Sequence, residues 1–236
     1  MSALASPASL KGVLSAREAA AFLADGFRLG GTEAVELPIA DGGEGTAEVL
    51  GARVRERVRV PDAFGLPREA PVRTLADGTA VVEAADVIPL DPQRLEPLAA
   101  SSRGLGELIA CVEAERLLVC LGGTATVDGG AGLREALDEL PAPTTVLCDA
   151  LVPLRDAARR FASQKGATPE QAELFERRLA SMAELAPYAE LPGSGAAGGL
   201  GAALAALGAE LVPGAREVLE RLRFRDWVRG ADLVVT

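Results

Sequence analysis

From residue 104 onward the chain alternates helix-like and strand-like segments, with glycine-rich loops at the strand ends. This alternation constrains the fold more than any other feature. Strands separated by helices pair in parallel, and the helices cover the faces of the sheet. The spacing predicts a helix over 104–115, an apolar strand in "RLLVCLGG" (116–123), a helix near 131–139 and a strand in "TTVLCD" (144–149). Thr168-Pro169-Glu170-Gln171 reads as a capping box with proline at the first helical position, opening a long helix. An Ala/Gly-rich helix is expected over about 195–208, and "ADLVVT" (231–236) reads as a buried strand.

The first hundred residues are more mixed. Residues 3–7 suit a short strand. Ser15-Ala16-Arg17-Glu18 is a capping box, after which Ala19, Ala20, Phe22, Leu23 and Phe27 share one helical face until Gly30-Gly31. Residues 34–40 read as a strand, with a short helix starting near Thr46. "RVRERVRV" (53–60) alternates apolar and charged residues, which predicts a half-exposed strand with Arg53, Arg55, Arg57 and Arg59 on its solvated face. "APVRTL", Asp77-Gly78 and "TAVVE" predict a hairpin. The class expected is therefore α/β with largely parallel strands.

Composition narrows the chemistry. The chain of 236 residues is 49% hydrophobic but only 3% aromatic, so its core is built from Leu, Val, Ala and Ile. Little is left for stacking on nucleic-acid bases. The net charge of −10 opposes nucleic acid and anionic lipid, so neither is expected as a partner. There is no run of 18 apolar residues and no basic, apolar leader at the start, which together predict a cytoplasmic location. Cys111, Cys120 and Cys148 have no CxxC spacing and read as buried thiols. Histidine is absent, which removes Ser-His-Asp triads and imidazole bases. Proton transfer falls to the remaining acids and bases.

Four loops combine glycine with small hydroxyl or acidic residues: "ADGGEGT" (40–46), "GGTATVDGG" (122–130), "SQKGATPE" (163–170) and "PGSGAAGGLG" (192–201). Glycine lets backbone N–H groups approach an anion, and ligands of open α/β sheets bind beyond the carboxyl ends of strands. Carboxylates in such loops repel phosphate unless they hold Mg²⁺ or take a proton from a hydroxyl. Of the 24 basic residues only Lys11 and Lys165 are lysines, and each precedes a glycine. A lysine ammonium is a compact charge suited to a phosphate or carboxylate. Together these features point to phosphoryl transfer to an alcohol. Gly193–Gly198 matches GxGxxG, but no strand precedes it, and the Walker A pattern is absent.

Taken in order, "LKGVLSA" (10–16), "PIADGGEGT" (38–46), "GGTATVDGG", "QKGATPE" and "PGSGAAGGLGAAL" resemble the bacterial glycerate kinase family, the class unrelated to P-loop or ribokinase-type kinases. The resemblance runs from about residue 5 to 236. It implies ATP-dependent, Mg²⁺-assisted phosphorylation of D-glycerate, with 2-phosphoglycerate preferred as product and 3-phosphoglycerate the alternative; monomer and homodimer both stay open as the assembly. It also implies two α/β domains: a Rossmann-like parallel sheet from residues 1–52 plus 226–236, incomplete at its C-terminal side, and an inserted mixed-sheet domain over 53–225. The positions carried over are Lys11, Asp41, Gly42, Gly43, Glu44, Thr46, Thr124, Asp128, Asp149 and Lys165. The roles we assign make Lys11, Asp41 and Asp128 catalytic, with Asp41 or Asp128 taking the hydroxyl proton and Lys11 or Lys165 neutralising phosphate or the glycerate carboxylate. They set Gly42, Gly43, Thr46, Thr124 and Lys165, together with Gly123 and Gly195 of the same loops, toward substrate and phosphate, and Glu44 and Asp149 toward the metal.

The chain departs from the family pattern at Ala8, Arg103, Leu105, Val127, Leu151 and Val152, where polar or other residues are usual. It also stops before the family's Gly-Glu-Gly-Arg-type motif. These departures raise a second reading, a catalytically silent or shortened paralogue that binds a small acid or nucleotide or acts as an interaction partner.

Overall fold

The computed structural model describes residues 1–236. In chain order the strands are β1 (Ser2–Ala5), β2 (Glu33–Glu36), β3 (Arg53–Pro61), β4 (Pro67–Thr74), β5 (Ala80–Glu83), β6 (Leu117–Leu121), β7 (Thr144–Cys148), β8 (Glu210–Pro213) and β9 (Leu233–Val235). The helices are α1 (Ala16–Leu29), α2 (Thr46–Val49), α3 (Ala84–Val87), α4 (Arg103–Ala110), α5 (Ala131–Ala136), α6 (Ala157–Phe161), α7 (Pro169–Ser181), α8 (Ala196–Ala206), α9 (Gly214–Arg221) and α10 (Phe224–Arg229). Short 3₁₀ turns stand at Leu154–Asp156, Ser163–Lys165 and Ala183–Tyr188.

The strands form two sheets. β2-β1-β9 is entirely parallel, with Leu4 of the central strand opposite Val35 on one side and Val234 on the other. The second sheet runs β3-β4-β5-β6-β7-β8 in chain order. Its first three strands are antiparallel and its last four parallel. The fold is α/β, with one parallel and one mixed sheet.

The large sheet shows why a continuous apolar run marks a buried strand. Alternate side chains leave opposite faces. Val82, Val119 and Val146 join Leu105, Leu108, Ile109, Leu133, Leu200 and Leu204 in one core. Val81, Leu118, Cys120 and Leu147 pack on the other face with Ala16, Ala47 and Val218. Each fully buried leucine stabilises the fold by about 1.5–3 kcal/mol. Ala16 and Ala47 belong to α1 and α2, so the elements that follow the small sheet's strands lean on the back of the large one.

Both capping boxes form: Ser15 with Glu18 opens α1, and Thr168 with Gln171 opens α7. The Asp77-Gly78 hairpin also forms, between β4 and β5. Other details differ from the sequence reading. The buried face of α1 is Ala16, Ala19, Ala20 and Ala24, while Phe22 is 65% exposed. β9 is not buried, since it is an edge strand of a three-stranded sheet and Leu233 stays exposed. Cys111 is exposed, and only Cys120 and Cys148 are buried. The Ala/Gly helix is interrupted at Ala197, Gly198 and Gly199, all with positive φ. The cause is a close approach. A Cβ on Gly198 would stand 2.1 Å from the main-chain oxygen of Thr126, so only glycine lets the two backbones touch there.

Candidate active site

Three loops meet beyond the carboxyl ends of the parallel strands. The segment 37–45 follows β2, residues 122–130 follow β6, and Asp149 follows β7. Their junction is tight. A Cβ on Gly122 would fall 2.7 Å from Asp149 Oδ2 and 2.9 Å from the Cα of Gly43, with φ at +158°. Any side chain at Gly122 would push the Asp149 carboxylate out of place.

A cavity of about 280 Å³ opens at this junction, lined by Lys11, Gly122, Gly123, Thr124, Asp149 and Lys165 among others. Lys165 is carried in by the turn Ser163–Lys165 and is only 3% exposed. Its ammonium donates to the main-chain oxygen of Thr126 at 2.7 Å and to Thr124 Oγ1 at 3.3 Å. An ammonium has three donors, so one remains for a ligand. The backbone N–H groups of Gly122, Gly123 and Thr124 donate to no group of the protein. Consecutive free amides beside a buried ammonium make an anion cradle.

The charges in this cavity perturb one another. Burial pushes the Asp149 carboxyl up to about 6, neighbouring Asp41 pushes the same way, and Lys11 and Lys165 oppose both. Burial pulls the Lys165 ammonium down to about 8, against the pull of Asp149 and Asp128. Perturbed groups that face one another across a cavity are characteristic of reacting sites.

A second cavity, of about 450 Å³, adjoins the first and shares Lys11 with it. Its walls are Ala8–Ala16 together with Ile39, Ala40, Asp41, Glu44, Gly45, Glu48 and Val49, omitting Leu10. Asp41 accepts the N–H of Gly43 through Oδ1 at 3.0 Å, which leaves its other oxygen free for a ligand. Glu44 lies against Gly123, where an added Cβ would stand 3.4 Å from Oε2.

The structure thus brings Lys11, Asp41, Gly43, Glu44, Gly123, Thr124, Asp149 and Lys165 to one place. Gly42 packs on Gly214 instead, where an added Cβ would meet the Gly214 Cα at 2.6 Å. Thr46 is fully buried at the start of α2 and its hydroxyl has no partner. Gly195 is pressed against the main chain of Val152 and Pro153, away from both cavities. Asp128 is occupied by the protein itself. Its carboxylate accepts the N–H and hydroxyl of Ser102 and the N–H groups of Gly130 and Gly132. The sequence reading passed over Glu83, which it placed only in a hairpin strand. In the structure Glu83 reaches across to the 41–46 loop. No local pattern signals this, because the contact spans 36 residues or more.

The donor set can be tested against Mg²⁺. No three carboxylates or thiols converge, so the protein offers no cage for a metal. Asp149, the one carboxylate lining the smaller cavity, suits a cation held by one or two carboxylates that takes its other oxygens from phosphate and water, which is how Mg²⁺ usually binds.

Of the six residues that depart from the family pattern, Leu105 and Val127 are packing residues, while Ala8 lies in the wall of the larger cavity. Leu105 is fully buried in the main core and Val127 in a second core with Phe175 and Leu179. Leu151 is half exposed.

Comparison with known proteins identifies the family. The family model described as "Glycerate kinase family" matches residues 3–140 and 141–236. The chain is 34% identical to a glycerate kinase of Bacillus subtilis, over all of this chain and 76% of that protein. It is 33% identical to a glycerate 2-kinase of Escherichia coli, again over all of this chain and 76% of the relative. A crystal structure of a glycerate kinase 2 from Salmonella typhimurium superposes with a TM-score of 0.77 at 32% identity, covering 99% of this chain and 77% of the other. With a family match along nearly its whole length and its signature loops gathered around one cleft, the chain belongs to the glycerate kinase family.

Proposed function

We propose that the protein transfers the γ-phosphoryl group of ATP to D-glycerate and forms 2-phosphoglycerate. The observation that carries this reading is the anion cradle, where the buried Lys165 ammonium and the free amides of residues 122–124 converge on one cavity with Asp149. Family membership supplies the substrates, and the name of the Escherichia coli relative favours the 2-position.

In this mechanism Asp41 accepts the proton of the attacking hydroxyl. The hydroxyl oxygen forms a bond to the γ-phosphorus while the bond from that phosphorus to the bridging oxygen breaks, leaving ADP. Lys165, Lys11 and the 122–124 amides hold anionic oxygens, of phosphate or of the glycerate carboxylate, in line for transfer. Asp149, assisted by Glu44, is the group that would hold Mg²⁺, which when bound neutralises charge on the phosphate oxygens. Thr124 fixes the Lys165 ammonium. Asp128, with every near donor already taken from Ser102, Gly130 and Gly132, shapes the loop and leaves the proton to Asp41.

The reading treats residues 1–52 with 226–236 as one domain and 53–225 as the other, supported by the partition of β1, β2 and β9 from β3–β8. It places the enzyme in the cytoplasm, where its three unpaired thiols stay reduced. No helix is long and apolar enough to cross a membrane. Leu105 and Val127 fill cores rather than strip the cavity, and of the departures Ala8 alone lines the cavity that holds Lys11, Asp41 and Glu44.

The test is ADP release coupled to D-glycerate and Mg-ATP, with the phosphorylated carbon read by phosphorus NMR. Turnover requiring glycerate is expected, and Asp41→Asn should lower kcat by about 10²–10⁴ without loss of folding. A folded wild-type protein that releases no ADP in response to glycerate would sink the reading.

A further inference from the structure

Glu83 is 4% exposed, and a glutamate so deeply buried needs strong partners to stay there. It ends β5, in register with Cys120 of β6, so it belongs to the large sheet. Both of its oxygens point at the other side of the site. Oε1 accepts the N–H of Ala47 at 2.6 Å, and Oε2 accepts the N–H of Gly45 at 3.2 Å. Gly45 is the residue that precedes α2 and Ala47 the second residue of that helix, which has no side-chain cap of its own. Burial and Asp86 push the carboxyl upward, while the two N–H groups and Arg73 pull it down. Arg73 is itself paired with Asp86.

We propose that Glu83 is the positioning residue that holds the 41–46 loop, and with it Asp41 and Glu44, in reactive shape against the Gly122–Thr124 cradle. This rests on the kinase reading above, in which Asp41 takes the proton. A local cap would fix α2 alone. A carboxylate supplied from the large sheet fixes the loop relative to Lys165 and Asp149, which is the distance the chemistry depends on. Groups that orient reacting residues in this way matter to rate more than to binding.

The test compares the full-length wild type with Glu83→Gln. The variant is isosteric, keeps a carbonyl for Ala47 and turns an NH₂ group toward the Gly45 N–H. The melting temperature should move by less than about 5 °C. Amide exchange should speed up about 10-fold in 41–49 alone. The kcat should fall about 10–100-fold while KM for glycerate and ATP stays within about twofold. Unchanged exchange at 41–49, exchange raised equally throughout the chain, or an unchanged kcat overturns the proposal. Exchange in the wild type alone decides the contact if the variant does not fold: unprotected amides at Gly45 and Ala47 also overturn it. A wild type without glycerate-dependent turnover fails the kinase reading, and the exchange result still reports separately on whether Glu83 holds the loop.

Discussion

Asp149 and Lys165 face each other with their usual acidities drawn together, one raised to about 6 and the other lowered to about 8. Each is costly in its charged form because it is buried. For Asp149 the folded state binds its proton more tightly than the unfolded chain, so its contribution to stability falls as pH rises from about 4 to about 6. For Lys165 the reverse holds, and stability is regained as pH rises from about 8 toward 10.5. In the kinase mechanism proposed above, catalysis needs both charges present. The kcat/KM for glycerate should therefore rise through about pH 6 and fall through about pH 8. A profile that is flat between about pH 5 and 9 would show that neither group takes part. The lysine pair could be picked out in the sequence because arginine is preferred elsewhere. The burial that perturbs Lys165 could not, since it is a property of the folded chain, in which the ammonium bonds Thr124 and Thr126, about forty residues away.

At the scale of elements, the break in α8 links packing to chemistry. Thr126 supplies the oxygen that anchors Lys165, and the left-handed turn at 197–199 packs against that oxygen. Gly198→Ala would force a Cβ to 2.1 Å from it at a φ of +73°. The substitution should cost about 2–4 kcal/mol and lower kcat as the anchor shifts. Gly208→Ala, at φ +94° with open space around it, should cost only about 1–2 kcal/mol and leave kcat alone. Urea unfolding and turnover of the two variants check this, and equal losses for both would refute the link. The same break shows where sequence reading stops. Ser15 and Thr168 announce their helices because a cap is a local contract between residues three apart. The run 195–208 mixes Ala and Leu, which favour helix, with five glycines, which do not, and contact with the 126–127 backbone fixes its first turn in a non-helical shape. β8 is four residues ending in proline, too short for a period to show. The signature loops were legible as candidates, yet Gly195 and Asp128 look like the others in sequence and are separated from them only by which partners they already hold.

Across the whole molecule, the two sheets contribute opposite walls to the site, and the only group that lines both cavities is Lys11. It sits on an exposed turn beside the left-handed Gly12, free to lean either way. In the kinase mechanism proposed above, two negatively charged ligands, one in each cavity, would share that single ammonium. Occupancy of one side should then weaken the other by the same factor in both directions, as linkage demands. Calorimetric titration of D-glycerate with and without a non-hydrolysable ATP analogue measures the factor, and Lys11→Met should bring it close to one. Independent binding in the wild type would mean that Lys11 serves one ligand only. If the antagonism holds, the lysine acts as a toggle between tenants, and the departure of one product eases the stay of the other, which orders their release without any moving lid.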